Sequence, residues 1–437
     1  MDERRQIFFI KGGFCMCIEL IIFIAMVVVF IAGCFWLKLP VSISMVISAI
    51  AGALIGGQGI PLRHLVEGTF SYVDTILVIA CAMIFMKVLQ ENGSLDALSC
   101  MIVERFHKVP ALLLCLIMLV IMFPGMITGS STAAVLSAGS IMMPVLILMG
   151  IPKLETGCII AMGGILGMIA PPVNIPAMLI GGGVDLPYVG FEGPLALLTF
   201  PLAFLFVLML GFKYVRHLDY EAIRQRMNTE SREKYGFRNY IPILVCVFLM
   251  ILNKAVPAIP DLGMPLVFLI SAIVGLFTGK KVPVLKTAKE AINTVLPVLG
   301  ILMGVGMFIQ IMTLTGVRGF IVNVCLSIPD AWRYLAMAIS IPLFGAVSSY
   351  GASSVLGVPF LLAFLAKNQV ITAAAISLIA SLGDMMPPTA LAGIFAAQVV
   401  GVEKYTDILK KCIVPAIIMI VWATVIIIFS PQLAKII

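Results

Sequence analysis

Long apolar blocks separated by short polar clusters dominate the chain, without the regular amphipathic alternation of a soluble domain. Blocks at 18–37, 41–58, about 70–90, 194–212, 240–256, 264–278, 291–314 and 412–430 predict helices of the length a bilayer requires. A tight Lys38-Leu39-Pro40 turn joins the first two, and a loop carrying Arg63, His64 and Glu67 leads to the third. Residues 94–107 alternate apolar and charged positions, which suits a helix lying at the interface, as does the stretch near 317–329.

Two kinds of interruption break the remaining apolar blocks. MITGSSTAAVLSAGS at 126–140 packs glycines and hydroxyls into an apolar run, and ILGMIAPPVNIPAML at 165–179 places Pro171, Pro172 and Asn174 in another. The pair recurs as FGAVSSYGASSVLGVPF at 344–360 and SLGDMMPPTALAG at 381–393. Irregular backbone at membrane depth survives only where protein or a wet cavity satisfies its polar groups. The reading is therefore a re-entrant hairpin at 109–149 followed by a broken helix at 155–183, and a second pair at 331–366 and 372–400. Paired interruptions in corresponding positions of two halves point to a secondary transporter's binding site.

The halves align. Glu67 and Gly93 match Glu290 and Gly316 at equal separation, Gly129 matches Gly351, the G-x-x-x-P-P at 167–172 matches that at 383–388, and Pro201 matches Pro415. This predicts an all-α polytopic membrane protein: about ten spanning helices plus two hairpins, in repeats 1–212 and 239–437 joined by a polar linker at 213–238. An odd number of spans per half makes the repeats inverted. Placing the linker in the cytoplasm puts Lys280, Lys281, Lys286, Lys289, Lys404, Lys410 and Lys411 there too, with Asp185 and Glu192 outside. The cost is an external N-terminus carrying Arg4, Arg5 and Lys11, on a first span that is retained.

Composition narrows the class. Of 437 residues, 62% are hydrophobic and 11% charged, a balance that excludes a soluble globular surface. A net charge of +7 without a basic stripe or interleaved aromatics excludes a nucleic-acid partner. The ten cysteines are scattered singly apart from Cys15 and Cys17 and read as packing residues; the three histidines, His64, His107 and His217, fall in predicted loops. GLFTGKK at 275–281 lacks the spacing and the Ser or Thr of a phosphate-binding loop, so energy should come from an ion gradient.

The candidate chemistry is oxygen-rich and almost uncharged. The hairpin tips offer Ser130, Ser131 and Thr132, and Ser348, Ser349, Ser353 and Ser354. Broken helices offer free carbonyls for Na⁺ and free N–H groups for a carboxylate. Small residues in apolar helices also serve plain packing, which is the competing reading of each one. Asp384 is sharper, since an acidic residue at membrane depth is functional by default; a hydrogen-bonded structural carboxyl is its alternative. Gly383-Asp384 also allows an intramembrane aspartyl protease, but that chemistry needs a second carboxyl, for which only Asp74 stands as candidate.

GSSTAAVLSAGSIMMP at 129–144, APP at 170–172 and LGDMMPPTALAGIFAAQ at 382–398 resemble the large membrane subunit of tripartite ATP-independent periplasmic (TRAP) transporters, within the ion-transporter superfamily. The resemblance implies elevator-type movement of hairpins and broken helices against a scaffold, and sodium-coupled uptake of a small organic acid, with no cofactor beyond Na⁺. One sodium site is then framed by Ser130, Ser131 and Gly167 to Pro171, the other by Gly351, Ser353, Gly383, Asp384 and Pro387. Substrate lies between the tips, where Thr132, Asn174, Ser349, Ser354 and Thr389 stand. The resemblance also implies a bacterial inner membrane, a small four-span membrane subunit and a periplasmic substrate-binding protein. Asn174 stands where the family often has serine and Asp384 where an uncharged residue is commoner, which leaves Na⁺ or H⁺ open as coupling ion. A stand-alone carboxylate carrier of the same superfamily is the alternative.

Overall fold

A computed structural model describes residues 8–9, 15–16, 18–215, 230–255, 262–327, 329–364, 366–387 and 389–435. Apart from a two-residue antiparallel bridge between Phe8–Phe9 and Cys15–Met16, these residues form helices and their connections. In chain order the first half contains α1 (Ile18–Phe35), α2 (Val41–Ile55), α3 (Leu62–Phe70), α4 (Val73–Glu91), α5 (Ser94–Phe106), α6 (Pro110–Thr128), α7 (Ser131–Ala134), α8 (Ser140–Leu148), α9 (Lys153–Ile169), α10 (Ile175–Gly182) and α11 (Glu192–Gly211). Next come α12 (Glu230–Tyr235), α13 (Ile241–Ala255), α14 (Gly263–Thr278), α15 (Val284–Leu314), α16 (Val317–Ser327), α17 (Asp330–Ala363), α18 (Gln369–Ser381), α19 (Leu391–Val400), α20 (Tyr405–Ile428) and α21 (Ser430–Leu433).

Among the described residues, eight helices are long and apolar enough to cross a membrane, and shorter apolar helices accompany them. The protein is a multi-pass helical membrane protein. Two of the expected spans, α2 and α14, have only 15 and 16 residues. At 1.5 Å per residue such helices reach about 24 Å, short of the roughly 30 Å hydrocarbon core.

The helices fall into two packing groups. The first joins α1 to α4 with α13 to α15. Here α2 presents Ser48 and Gly52 to α1: the Ser48 hydroxyl donates to Met26 O, and a Cβ on Gly52 would lie 2.5 Å from Met26 Cγ. Small residues admit this close approach where apolar burial gives no net attraction between helices in lipid. The second group gathers α6 to α11 with α17 to α20.

Two expectations need correction. The loop at Arg63, His64 and Glu67 is the helix α3, so His64 is helical. An i,i+4 pair between Arg63 Nε and Glu67 Oε1 at 2.8 Å supports it, while Leu65 and Gly68 turn inward. Gly68 lies so close to α15 that a Cβ there would be 2.6 Å from Gly306 O. In the second half the corresponding helix starts at Val284, earlier than the apolar run, and carries Lys286, Lys289 and Glu290 in its first turns. Two cysteines distant in sequence meet: Cys158 on α9 and Cys412 on α20 bring their sulfurs to 2.9 Å, with both side chains buried. Beside them Lys411 Nζ lies 3.0 Å from Glu155 Oε1, which also accepts from Tyr214 Oη, tying α9 and α20 to the end of α11.

Of the linker, residues 216–229, and His217 with them, lie outside the described residues. The part from Glu230 packs on α5. Lys280 Nζ lies 3.1 Å from Glu230 Oε2, Arg232 pairs with Glu104, and Tyr240 Oη donates to Ala97 O at 3.0 Å. Helix α5 is accordingly more buried than an interfacial helix need be, with Leu95, Ala97, Cys100, Ile102 and Val103 inside.

Candidate functional site

Each half builds its site from a doubled-back segment and a broken helix. In the first half, Leu114 near the start of α6 and Ile151 just beyond α8 meet the same residue of α11: a Cβ on Gly211 would lie 3.2 Å from Ile151 Cδ1 and 3.4 Å from Leu114 Cδ1. The chain between them runs out and returns. In the second half, α17 folds at Ser349, which takes a left-handed φ of 57°. Across the fold Ser353 Oγ donates to Ile341 O at 2.8 Å, and the Arg333 guanidinium donates to Ala363 O at 2.9 Å. A straight helix would hold Arg333 and Ala363 about 45 Å apart.

The first tip turns at Gly129, whose φ of 62° closes α6. Thr128 Oγ1 donates to Pro124 O at 2.7 Å and accepts from Ser130 N at 3.3 Å. Ser130 Oγ accepts from Ala133 N at 3.2 Å and so caps α7. A π turn over Val135–Gly139 follows, an irregularity that recurs at functional sites. The tip lies on the first helix break, since a Cβ on Gly129 would be 2.5 Å from Ile175 Cγ1, and Val173 N donates to Met126 O at 3.2 Å.

Tight backbone crossings seat both hairpins, at glycines the sequence reading passed over. A Cβ on Gly125 would lie 2.8 Å from the carbonyl carbon of Gly167, and one on Gly345 would clash with Gly383. Both crossings join a hairpin arm to the first glycine of a G-x-x-x-P-P motif. Gly167 and Gly383 are thus packing points, and the recurrence of a glycine ahead of each tip was the signal available.

The two halves meet at Asp384. It lies in the 3₁₀ turn Leu382–Met385 that ends α18, and it is 0% exposed. Ser131 of the first tip donates its hydroxyl to Oδ2, and Ser349 of the second donates to Oδ1. Tyr350 N also donates to Oδ1, at 3.2 Å. Among the described residues every group on the carboxylate is a neutral donor, and no Lys or Arg pairs with it. Thr389 Oγ1 ties the second tip to the break by donating to Gly345 O at 2.8 Å and accepting from Ser349 N at 3.1 Å.

The other sequence candidates are placed differently. Asn174 is fully buried. Its amide donates to Ile169 O and to Ser377 Oγ, both at 2.9 Å, and its oxygen caps α10 by accepting from Ala177 N at 2.8 Å. Both amide protons are thereby used within the protein. Tyr188, unforeseen from sequence, covers the same break: its hydroxyl donates to Pro172 O and accepts from Asn174 N, each at 3.1 Å. Pro171 and Pro172 share a cis peptide bond here. Ser354 Oγ donates to Tyr350 O one turn back. Gly351 is buried one turn along the second tip, Thr132 is half-buried on the first, Pro387 stands at the second break, and Pro388 and the Ser348 side chain lie outside the described residues. Asp74 is exposed in the first turn of α4, so the carboxyl pair required for an aspartyl protease is not assembled.

Fold and site thus define a polytopic membrane protein with paired hairpins and broken helices converging on one buried carboxylate. Residues 20–433 match the family described as tripartite ATP-independent periplasmic transporter, DctM component, and the chain belongs to that family of transporter components. No curated protein matches the chain.

Proposed function

We propose that the protein is the membrane permease of a bacterial inner-membrane transporter that takes up a small organic acid, coupled to sodium entry. The observation that carries this reading is Asp384: a carboxylate with no exposure, held among the described residues by neutral donors between the two hairpin tips. An ionised carboxylate in an apolar interior requires a compensating charge, which a bound Na⁺ or a proton supplies. The oxygens around it, from Ser131, Ser349 and the carboxylate itself, are hard ligands suited to Na⁺.

The substrate carboxylate, on this reading, sits between the tips and is held by hydroxyls and N–H groups rather than by a cationic side chain. The packing group of hairpins, broken helices, α11 and α20 moves as one body against the group of α1 to α4 and α13 to α15. Three features support that division: denser packing within each group than between them, doubled-back segments in both halves, and their junction at Asp384. The repeats are inverted with the linker in the cytoplasm. The tripartite family name supports two further components. These are a small four-span membrane subunit and a periplasmic protein that delivers the acid.

The test is uptake of labelled organic acids into proteoliposomes containing the permease with its membrane partner and binding protein. Uptake driven by an inward sodium gradient without ATP is expected. Uptake that ignores sodium and follows an imposed proton gradient would transfer the coupling role to H⁺.

A further inference from the structure

The C-terminal end of α10 packs with the hairpin group, yet Tyr72 of the other group and Arg318 of α16, which lies between the groups, reach it. Tyr72, in the turn between α3 and α4, is 3% exposed and donates its hydroxyl to Leu179 O at 3.0 Å. Its ring lies against Gly182, where a Cβ would sit 2.6 Å from Cε1. Arg318 opens α16, which leaves α15 and packs on both α17 and α1. Its Nη1 lies 3.9 Å from Oδ2 of Asp185, three residues beyond Gly182. Leu179 O also accepts from Gly183 N at 3.1 Å, so the Tyr72 hydroxyl adds a second bond to it, and Arg318 acts on the Asp185 carboxylate beyond the helix end.

The glycines of IGGGVDL permit the approach from both sides. Gly182 faces Tyr72, and a Cβ on Gly183 would lie 2.5 Å from Val358 Cγ2 of α17 and 3.2 Å from Ile309 Cδ1 of α15. Next to this point a crevice opens between α15, α16 and α17. Ile309, Met312, Val355, Val358 and Pro359 line it, and Arg318 is the one charged residue on its wall. Helix α4 also packs on α6, and α1 on α17, and the end of α10 adds directional contacts to that boundary.

We propose that Tyr72 is a catch on the end of α10 that holds the hairpin group in the position seen here and releases during transport, with the Arg318 and Asp185 pair a weaker contact beside it. The proposal rests on the two-body movement put forward above. Tyr72 supplies the buried contact. Arg318 supplies a weaker, salt-sensitive one, because Asp185 is 90% exposed.

The experiment places cysteines at Asp185→Cys and Arg318→Cys in a cysteine-depleted full-length chain, with the partner proteins present, and bridges them with a short bifunctional thiol reagent. Bridging is expected to abolish uptake. Adding Tyr72→Phe, which keeps the ring on Gly182 but loses the hydroxyl, is expected to slow bridging about two- to tenfold, the range of one net hydrogen bond. Gly182→Ala, which displaces the ring, should slow it at least as much. Normal uptake by the bridged protein would contradict the two-body movement itself. Blocked uptake with a bridging rate indifferent to Tyr72→Phe and Gly182→Ala would leave the movement standing and overturn the catch.

Discussion

The Ser131 hydroxyl donates to Oδ2 of Asp384 across a separation of 253 residues, joining the tip of the first hairpin to the helix break of the second half. Ser349 takes the other oxygen from the opposite tip. Both tips therefore report on the state of one carboxylate, and whatever neutralises that carboxylate acts on both hairpins together.

Ser131→Ala and Ser349→Ala should each raise the sodium concentration for half-maximal uptake about ten- to hundredfold, since a hydrogen bond to a charged group contributes about 1.5–3 kcal/mol. Ser130→Ala should leave sodium dependence unchanged and lower thermal stability, because that hydroxyl caps α7. Uptake titrated against sodium, with melting of the purified protein in parallel, separates the two outcomes.

Asn174→Ala should destabilise the protein by about 1–3 kcal/mol, because it strands buried groups at Ile169, Ala177 and Ser377. The surviving folded fraction should retain wild-type apparent substrate affinity. A weakened affinity with unchanged melting temperature would instead make the amide a substrate ligand.

Gly125→Ala and Gly345→Ala add a methyl group where two backbones cross, so both should be more damaging than Gly319→Ala, where a Cβ meets open space. The comparison is the yield of monodisperse protein and its melting temperature. Equal behaviour of the three variants would argue against the crossings as fixed seats for the hairpins.

Labelling of single introduced cysteines tests orientation. Positions in 230–238 and 280–289 should react from the cytoplasm and those in 185–193 from the opposite side. Labelling of the linker from outside would reverse the inverted arrangement.

The helix breaks were legible because lipid gives freed backbone groups no partner, so Gly129, Pro171 and Asp384 stand out of apolar runs. The partner of Asp384 was not legible. Its contact with Ser131 crosses between the two halves, and aligning one half with the other does not show where they touch. Asn174 is ambiguous for a related reason: an amide in an apolar run marks a break equally well whether it binds a ligand or caps the next helix. Helix α3 was missed because nine residues holding Arg63, His64 and Glu67 read as a polar turn, while the inward faces of Leu65 and Gly68 depend on α15. Tyr188 sits in a loop whose sequence gives no sign that it folds back over Pro172.

The most direct test of Asp384 as the coupling site is sodium-driven uptake measured across pH, at low and high sodium, for wild type and Asp384→Asn. If Na⁺ and protons compete for the carboxylate, wild-type uptake falls at acidic pH when sodium is low and recovers when sodium is raised. The amide keeps the shape but not the charge, so Asp384→Asn should lose sodium-driven accumulation at every pH. A variant with normal sodium-coupled uptake and an unaltered pH profile would contradict the account.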